Sequence, residues 1–289
     1  MNSPCIGLCR IDFSSGLCRG CARTAAEVAA WRDASPAYLG RVWSELPARR
    51  ERTGIELHRL DWGRDEAVDF IGRSLRPGGG AWAFGNLDAA VGFRVEPGDA
   101  CEPVAVGPAR IEARTPRAAI RFEVPETIRV LSWASRGEDP AARPMAMAVP
   151  KPRRGSVPRP GLAALGADRD AIDPADRAGR LYDLGLPRPG FAFCLRTEDP
   201  GLIRDLDDCQ GLAWPELLAT IGRRIAEASP ARVVVGPIGR VEAFGPIAGE
   251  DPLGSIRPPA VPPGLDDLET LVPCAFHFAV ADEPAGGAS

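Results

Sequence analysis

Four thiols crowd the first two dozen residues: Cys5 and Cys9, then Cys18 and Cys21, spaced C-x3-C-x8-C-x2-C. Thiolate sulfur is a soft ligand, and two close cysteine pairs can enclose one ion tetrahedrally. In Cys18-Arg19-Gly20-Cys21 the turn between ligands must be tight. Gly20 is free to adopt it while backbone N–H groups point at sulfur. The chemistry expected is metal binding by Cys5, Cys9, Cys18 and Cys21, with no cofactor site beyond it. Four free buried thiols would need no such spacing. Two pairs around a single ion suit Zn2+, and the spacing matches neither of the common ferredoxin runs.

The remaining chemistry-bearing residues are sparse. Histidine is the usual general base near neutral pH, and only His58 and His277 exist. Cys274-x2-His277 is half a metal site without a second pair, so a thiol and an imidazole on a closing strand is the simpler reading. Cys101, Cys194 and Cys209 stand alone and read as small buried hydrophobes. Gly78-Gly79-Gly80 lacks the Lys-Ser/Thr of a phosphate loop, and no G-x-S-x-G elbow occurs. Catalytic residues are therefore unknown, and whether the protein is an enzyme is undecided, leaning to no. Asp183, Arg196, Glu198 and Asp199 are the polar residues to follow if the domain has a cleft; salt-bridged or solvated roles are simpler. Asp205, Asp207 and Asp208 read as a helix end and its turn.

At 289 residues the chain suits two unequal domains, and 45% hydrophobic content is ordinary for a soluble protein with a core. No apolar run is long enough for a bilayer and the first residues do not form a secretory signal, so a reducing cytoplasm is expected, where clustered thiols mean metal. Net charge is -4. Residues 1–54 hold eight arginines against five acids, a surplus of +3 that leaves -7 for the rest. Four thiolates on a divalent ion would bring the front close to neutral. A protein partner is expected; a membrane or nucleic acid is not.

Several elements must position the thiols. Thr24-Ala25-Ala26-Glu27 is a capping box, and Ser35-Pro36 starts a second helix with Leu39, Val42, Trp43 and Leu46 on one face. A four-cysteine knuckle and a helical hairpin thus fill residues 1–52, a unit too small to hold itself without a metal. Residues 55–282 read as an α+β domain with mostly antiparallel sheet. Helices are expected at Arg64–Leu75, Pro174–Leu184, Pro200–Leu206 and Trp214–Glu227. Strands are expected at Ala81–Gly85, Ala90–Val95, Pro103–Ala113 and Ala119–Val124. Thr127–Leu131 should return from a Pro125-Glu126 turn as part of a meander, with Ala146–Val149 at an edge. Further strands are Phe191–Arg196, an Arg232–Phe244 hairpin, and Ala275–Ala281. Pro150–Pro160 reads as a basic Pro-rich linker, Pro246–Pro263 as a loop, and residues 283–289 as a disordered tail.

Ser3 to Arg10, Gly16 to Thr24, Glu27 and Trp31 resemble a small bacterial domain of unknown function, number 1289 in that series, often labelled a predicted Fe–S protein. The resemblance covers residues 3 to about 50 and implies a four-cysteine metal site, with an Fe–S cluster as the alternative to zinc. The family pattern has Gly where this chain has Ala22. Leu181 to Leu186, Phe193 to Thr197 and Gly239 to Glu242 resemble a second uncharacterised bacterial family. That family carries Gly-Pro-His-Thr-His after the hairpin; Pro252 to Ile256 occupy the region here and contain no histidine, so no role of those histidines transfers.

Overall fold

The computed structural model describes residues 2–85, 90–96, 98–133, 143–152, 161–186, 190–246, 265 and 268–279. Most of the linker at 150–160, nearly all of the 246–263 loop and the tail lie outside them.

Both front helices start where their caps dictate. Thr24 accepts from Glu27 N–H at 3.2 Å, and Glu27 accepts from Thr24 N–H at 2.8 Å, opening α1 (Ala25–Ala30). Ser35 accepts from Tyr38 N–H, Pro36 sits in the first turn, and α2 (Pro36–Thr53) runs to a left-handed Gly54. Leu39, Val42 and Leu46 are buried along its inner face. β1 (His58–Arg59) and α3 (Arg64–Ser74) follow, with Ile71 and Leu75 buried under α3.

The remaining strands are β2 (Ala81–Gly85), β3 (Ala90–Arg94), β4 (Val104–Ala105), β5 (Arg110–Arg114), β6 (Ala118–Glu123), β7 (Arg129–Ser132), β8 (Met145–Pro150), β9 (Ala163–Ala167), β10 (Arg180–Asp183), β11 (Ala192–Thr197), β12 (Ala231–Gly236), β13 (Gly239–Ala243) and β14 (Leu271–Phe278). Two helices, α4 (Pro200–Asp208) and α5 (Trp214–Ala228), join β11 to β12. One sheet has the order β1-β7-β8-β14-β2-β3 and the other β4-β5-β6-β13-β12-β11-β10-β9. Every named strand pairing is antiparallel, so the α+β expectation holds.

The two sheets bury a shared core. Trp82 and Phe84 on β2 meet Phe122 on β6 edge-on, with ring centroids 4.8 and 5.9 Å apart. Each such aromatic removes 150–250 Å² from water, roughly 2–3 kcal/mol per side chain. Leu202 and Leu206 of α4 and Leu217 and Ile225 of α5 extend the same core. A second cluster covers the other face of the six-stranded sheet: Ala83, Leu131, Ala146, Ala148 and Phe276 pack with Leu265, Leu268 and, from the cysteine segment, Ile6.

Several expectations are corrected. The span 103–113 is not one strand but two, β4 and β5, paired with each other. β6 and β7 do not form a hairpin: the 125–126 turn carries the chain from the eight-stranded sheet into the six-stranded one. Alternation identifies faces, not partners, and β7, buried on both sides at Val130 and Leu131, satisfies either topology. β8 is internal, between β7 and β14, rather than an edge. Residues 174–184 form a short 3-10 helix, Pro174–Ala178, then β10. There the backbone pairs with β9 and β11, and Leu181 and Tyr182 are both buried. β9 carried no recognisable signal, because Ala163 to Ala167 is small and partly exposed.

Burial lowers the pKa of both histidines. His277 Nε2 donates to Gly79 O at 2.7 Å, its ring lies 4.9 Å from Phe70 and 5.0 Å from Trp82, and burial lowers its pKa. Burial, with Arg50 and Arg143 nearby, pushes His58 down to about 4. Below the ordinary histidine value of about 6.5 the unfolded chain takes up protons that the native state refuses, so stability falls as pH drops from 6.5 towards 4. Chemical denaturation at pH 5 should show His58 alone removing about 2 kcal/mol relative to pH 7. His58→Gln and His277→Phe should each flatten that slope; an unchanged slope in both would refute the assignment.

Candidate metal centre

The cysteine segment folds back on itself as an irregular hairpin. Isolated bridges join Ile11 with Cys18 and Leu17 with Thr24. Asp12 fastens the connecting turn by accepting from Ser14, Ser15 and Arg19, and those bonds, Ser14 and Arg19 first, hold its carboxyl below the usual carboxylate range. Gly20 permits the closure: a Cβ there would stand 2.5 Å from Leu8 O, so no other residue fits between the two cysteine strands without displacing backbone. Gly7, at φ +90°, presses in the other direction. Its absent Cβ would lie 2.7 Å from Thr270 Oγ1, which seats the knuckle directly against the large domain.

The sulfurs stand as two pairs. Cys5 Sγ and Cys9 Sγ are 3.8 Å apart. Cys18 Sγ donates to Leu8 O at 3.3 Å, and its interaction with the Cys21 thiol lowers the pKa of Cys18 and raises that of Cys21. Among the described residues no group of three or more His, Cys, Asp or Glu side chains is arranged to hold a metal ion. The pairs nevertheless sense one another, since Cys18 acts electrostatically on Cys9. The backbone amides of Gly20, Cys21 and Arg10 also favour the Cys18 thiolate, and Gly7 N–H donates to Cys5 Sγ at 3.4 Å. The Cys21 bond, helped by these amides, brings Cys18 down to about 5. Cys9 is pushed up to about 11 by burial and then by Cys5, and Cys21 is pushed up by its bond to Cys18 and then by burial.

The surroundings of the four cysteines are cationic. Arg23 donates from Nε to Cys21 Sγ at 3.3 Å while its guanidinium lies 4.4 Å from the Trp31 ring centre. Elsewhere in the chain Arg50 and Arg59 are buried, and among the described residues Nε and Nη2 of each have no hydrogen-bond partner. Such orphaned donors are costly where no anion meets them. The donor set and its charge therefore fit a tetrathiolate metal centre, which would carry two net negative charges with a divalent ion. Ala22, at φ +60°, occupies a left-handed position that favours glycine. Its methyl is fully buried in the cluster with Val42 and Leu46, which offsets part of that strain.

The residues singled out in the large domain do not converge. Asp199 caps α4 by accepting from Leu202 N–H at 2.6 Å and pairs with Arg224. Asp183 accepts from Gly185 N–H, and burial raises its pKa. Asp207 accepts from Tyr182 Oη at 2.9 Å, and Asp205 meets Arg224, so the acidic knot is ion-paired helix end. Arg196 alone enters a cluster. It donates to Asp168 at 3.0 Å, Glu242 at 2.6 Å and Asp176 at 2.8 Å, and Arg240 bonds both Asp168 and Glu242. Asp168 escaped the sequence reading because its spacing carries no motif; Arg240 and Glu242 entered it only within the Gly239 to Glu242 resemblance, and the β12–β13 hairpin sets them two apart on one face. Cys101, Cys194, Cys209 and Cys274 are buried, and Cys274 donates to Val272 O rather than facing His277 as a ligand pair.

Among the described residues no helix is long and apolar enough to cross a membrane. A family model described as a protein of unknown function, DUF1289, matches residues 3–50, the knuckle and its helical hairpin. A second, described as a family of unknown function, DUF6925, matches residues 66–261. No curated protein and no solved structure matches the chain. The second match takes in the whole eight-stranded sheet, β2, β3, β7 and β8 of the six-stranded one, α4, α5 and the ionic cluster, and covers more than half of the sequence; on that extent the chain belongs to the DUF6925 family.

Proposed function

We propose that residues 3–50 form a structural Zn2+ module, held by Cys5, Cys9, Cys18 and Cys21, that serves as a docking unit on the α+β domain for a protein partner. The observation that carries the metal reading is the 3.8 Å separation of Cys5 and Cys9 sulfurs. Zinc–sulfur bonds of about 2.3 Å in a tetrahedron place neighbouring sulfurs about 3.8 Å apart. A four-iron cluster distributes its cysteines over separate irons, which spreads their sulfurs more widely. The bound ion would supply cross-linking, not turnover: four fixed bonds replace the core that so short a unit lacks.

The docking reading rests on the hairpin tip. Phe13 is fully exposed, Ile11 is 39% exposed beside it, and Arg10 and Arg19 flank them around a concavity of about 560 Å³. An aromatic held on a rigid turn is the usual anchor of a protein interface, and arginine at its border suits an acidic partner surface. The alternative, an Fe–S redox module serving a small-molecule enzyme domain, predicts a coloured protein. Metal analysis and a visible spectrum of anaerobically purified protein decide between them. One zinc per chain and no visible absorption is expected; iron with sulfide and a brown solution would replace zinc with a cluster, and neither metal would end the reading.

A further inference from the structure

We infer that Cys5 and Cys9 are a redox-modification site: hydrogen peroxide oxidises this pair to a disulfide, and the loss of two thiolate ligands releases the metal. The disulfide stands on the geometry of the pair alone. Its consequence for the metal rests on the metal reading above and deepens it, by giving the centre a means of regulation.

The two halves of the centre differ in access. Cys9 is exposed and Cys5 partly so, whereas Cys18 and Cys21 are 2% and 1% exposed. The buried pair is also engaged by the fold. Cys18 Sγ donates to Leu8 O and Cys21 Sγ accepts from Arg23 Nε, both at 3.3 Å. The outer pair sits on an irregular segment, with neither residue in a helix or strand. Gly7, at φ +90°, bends the chain between them, and their sulfurs stand 3.8 Å apart. Closing that gap to a bond of about 2.05 Å asks only a short loop to move. At the present distance either thiol can donate to the other. Gly7 N–H donates to Cys5 Sγ at 3.4 Å, which supports negative charge there and makes Cys5 the attacking atom.

The chemistry balances with peroxide as the sole oxidant. Cys5 thiolate attacks one peroxide oxygen, the O–O bond breaks, and the departing hydroxide takes a proton to become water. Cys5 is then a sulfenic acid. Cys9 Sγ attacks Cys5 Sγ, the S–O bond breaks, and the Cys9 proton leaves with the hydroxide as a second water. Two thiols have given two electrons to one peroxide, and a disulfide and two waters result. Sulfur in a disulfide no longer carries the thiolate charge that binds metal. Cys18 and Cys21 alone cannot complete a tetrahedral site, so the ion is lost until the disulfide is reduced.

The sequence makes the site readable. Trypsin cuts after Arg10, Arg19 and Arg23, leaving Cys5 and Cys9 in one peptide, residues 1–10, and Cys18 and Cys21 in two others. The reduced, zinc-loaded full chain is titrated with hydrogen peroxide, free thiols are alkylated, and released Zn2+ is followed with a chromophoric chelator. The expected product is a residues 1–10 peptide that is unalkylated and two hydrogens lighter, while Cys18 and Cys21 remain alkylated. One zinc should be lost for each such disulfide, and dithiothreitol with added Zn2+ should restore the starting state. In the metal-free chain Cys9→Ser should stop Cys5 at the sulfenic acid, which dimedone traps. Oxidation that cross-links the Cys18 and Cys21 peptides first, or carries Cys9 to a sulfonic acid without a disulfide, would overturn the inference and leave the metal centre standing. So would a disulfide that forms while zinc stays bound. A parent that holds no zinc yet forms the disulfide would overturn the metal reading and keep the modification site.

Discussion

Replacing Cys18 and Cys21 together with serine is expected to abolish metal retention and to release residues 3–50 from their compact state. Serine keeps the size and polarity of the side chain but is a poor ligand, so what is lost is the cross-link. Structural zinc contributes an apparent 10–16 kcal/mol in small zinc domains at neutral pH, far above what the Ala22, Val42 and Leu46 cluster can supply. The two sheets should survive, because their core of Trp82, Phe84, Phe122 and Phe193 includes no residue of the knuckle. Limited proteolysis should therefore cut the front segment rapidly and spare the large domain. Chelator treatment of the parent should reproduce the pattern. A serine variant that keeps its metal and its protease resistance would remove the four-thiolate reading. One contact tempers the separation: Ile6 packs on the outer face of the six-stranded sheet, and Gly7 abuts Thr270. Loss of the knuckle should expose Leu131, Trp133 and Phe276, lowering the stability of the large domain modestly rather than unfolding it.

Arg196→Met is expected to destabilise the large domain by about 3–5 kcal/mol, the range for breaking a buried ion pair from one side. Arg196 bonds three carboxylates, and two of them, Asp168 and Glu242, are 2% and 0% exposed. Removing the guanidinium leaves those charges facing one another, with only Arg240 between them. Arg196→Lys should recover little, since an ammonium cannot span the same fork of partners. Urea unfolding measures the deficit; a loss below about 1 kcal/mol would mean that the cluster is slack or hydrated. A double variant, Arg196→Met with Glu242→Leu, should cost less than the two single changes added, because the second removes the charge that the first strands.

Ionic clusters of this sort often mark active sites, yet the arrangement around Arg196 is self-satisfied. Ile172 N–H also donates to Glu242, and the segment after β9 covers the group. Its physical role is to fasten residues 168–176 onto the outer face of the eight-stranded sheet, where β11 and β13 supply the arginines and Glu242. That face would otherwise present only the small cluster of Leu181, Cys194 and Val233.

What the amino-acid sequence determined on its own is whatever depends on neighbours within a few positions. The capping box at Thr24 and Glu27, the Ser35-Pro36 start, the stripe along α2, the Gly54 stop and the β12–β13 hairpin all form as their local residues require, since one turn of backbone decides each. The cysteine spacing likewise marked Cys5, Cys9, Cys18 and Cys21 as candidate ligands before any fold was known. Tertiary structure alone decided which strands share a sheet, because alternation marks a buried face without naming its partner. It alone turned residues 180–183 into a strand, by offering them two neighbours. It also gave meaning to charges that look alike in sequence: Arg49 is paired and Arg52 solvated, whereas Arg50 is buried, its Nε and Nη2 without a partner among the described residues. Arg196 finds Asp168 and Glu242 at separations of 28 and 46 residues. Electrostatic roles depend on distance through space and on exclusion of water, and neither is written in the order of residues along a chain.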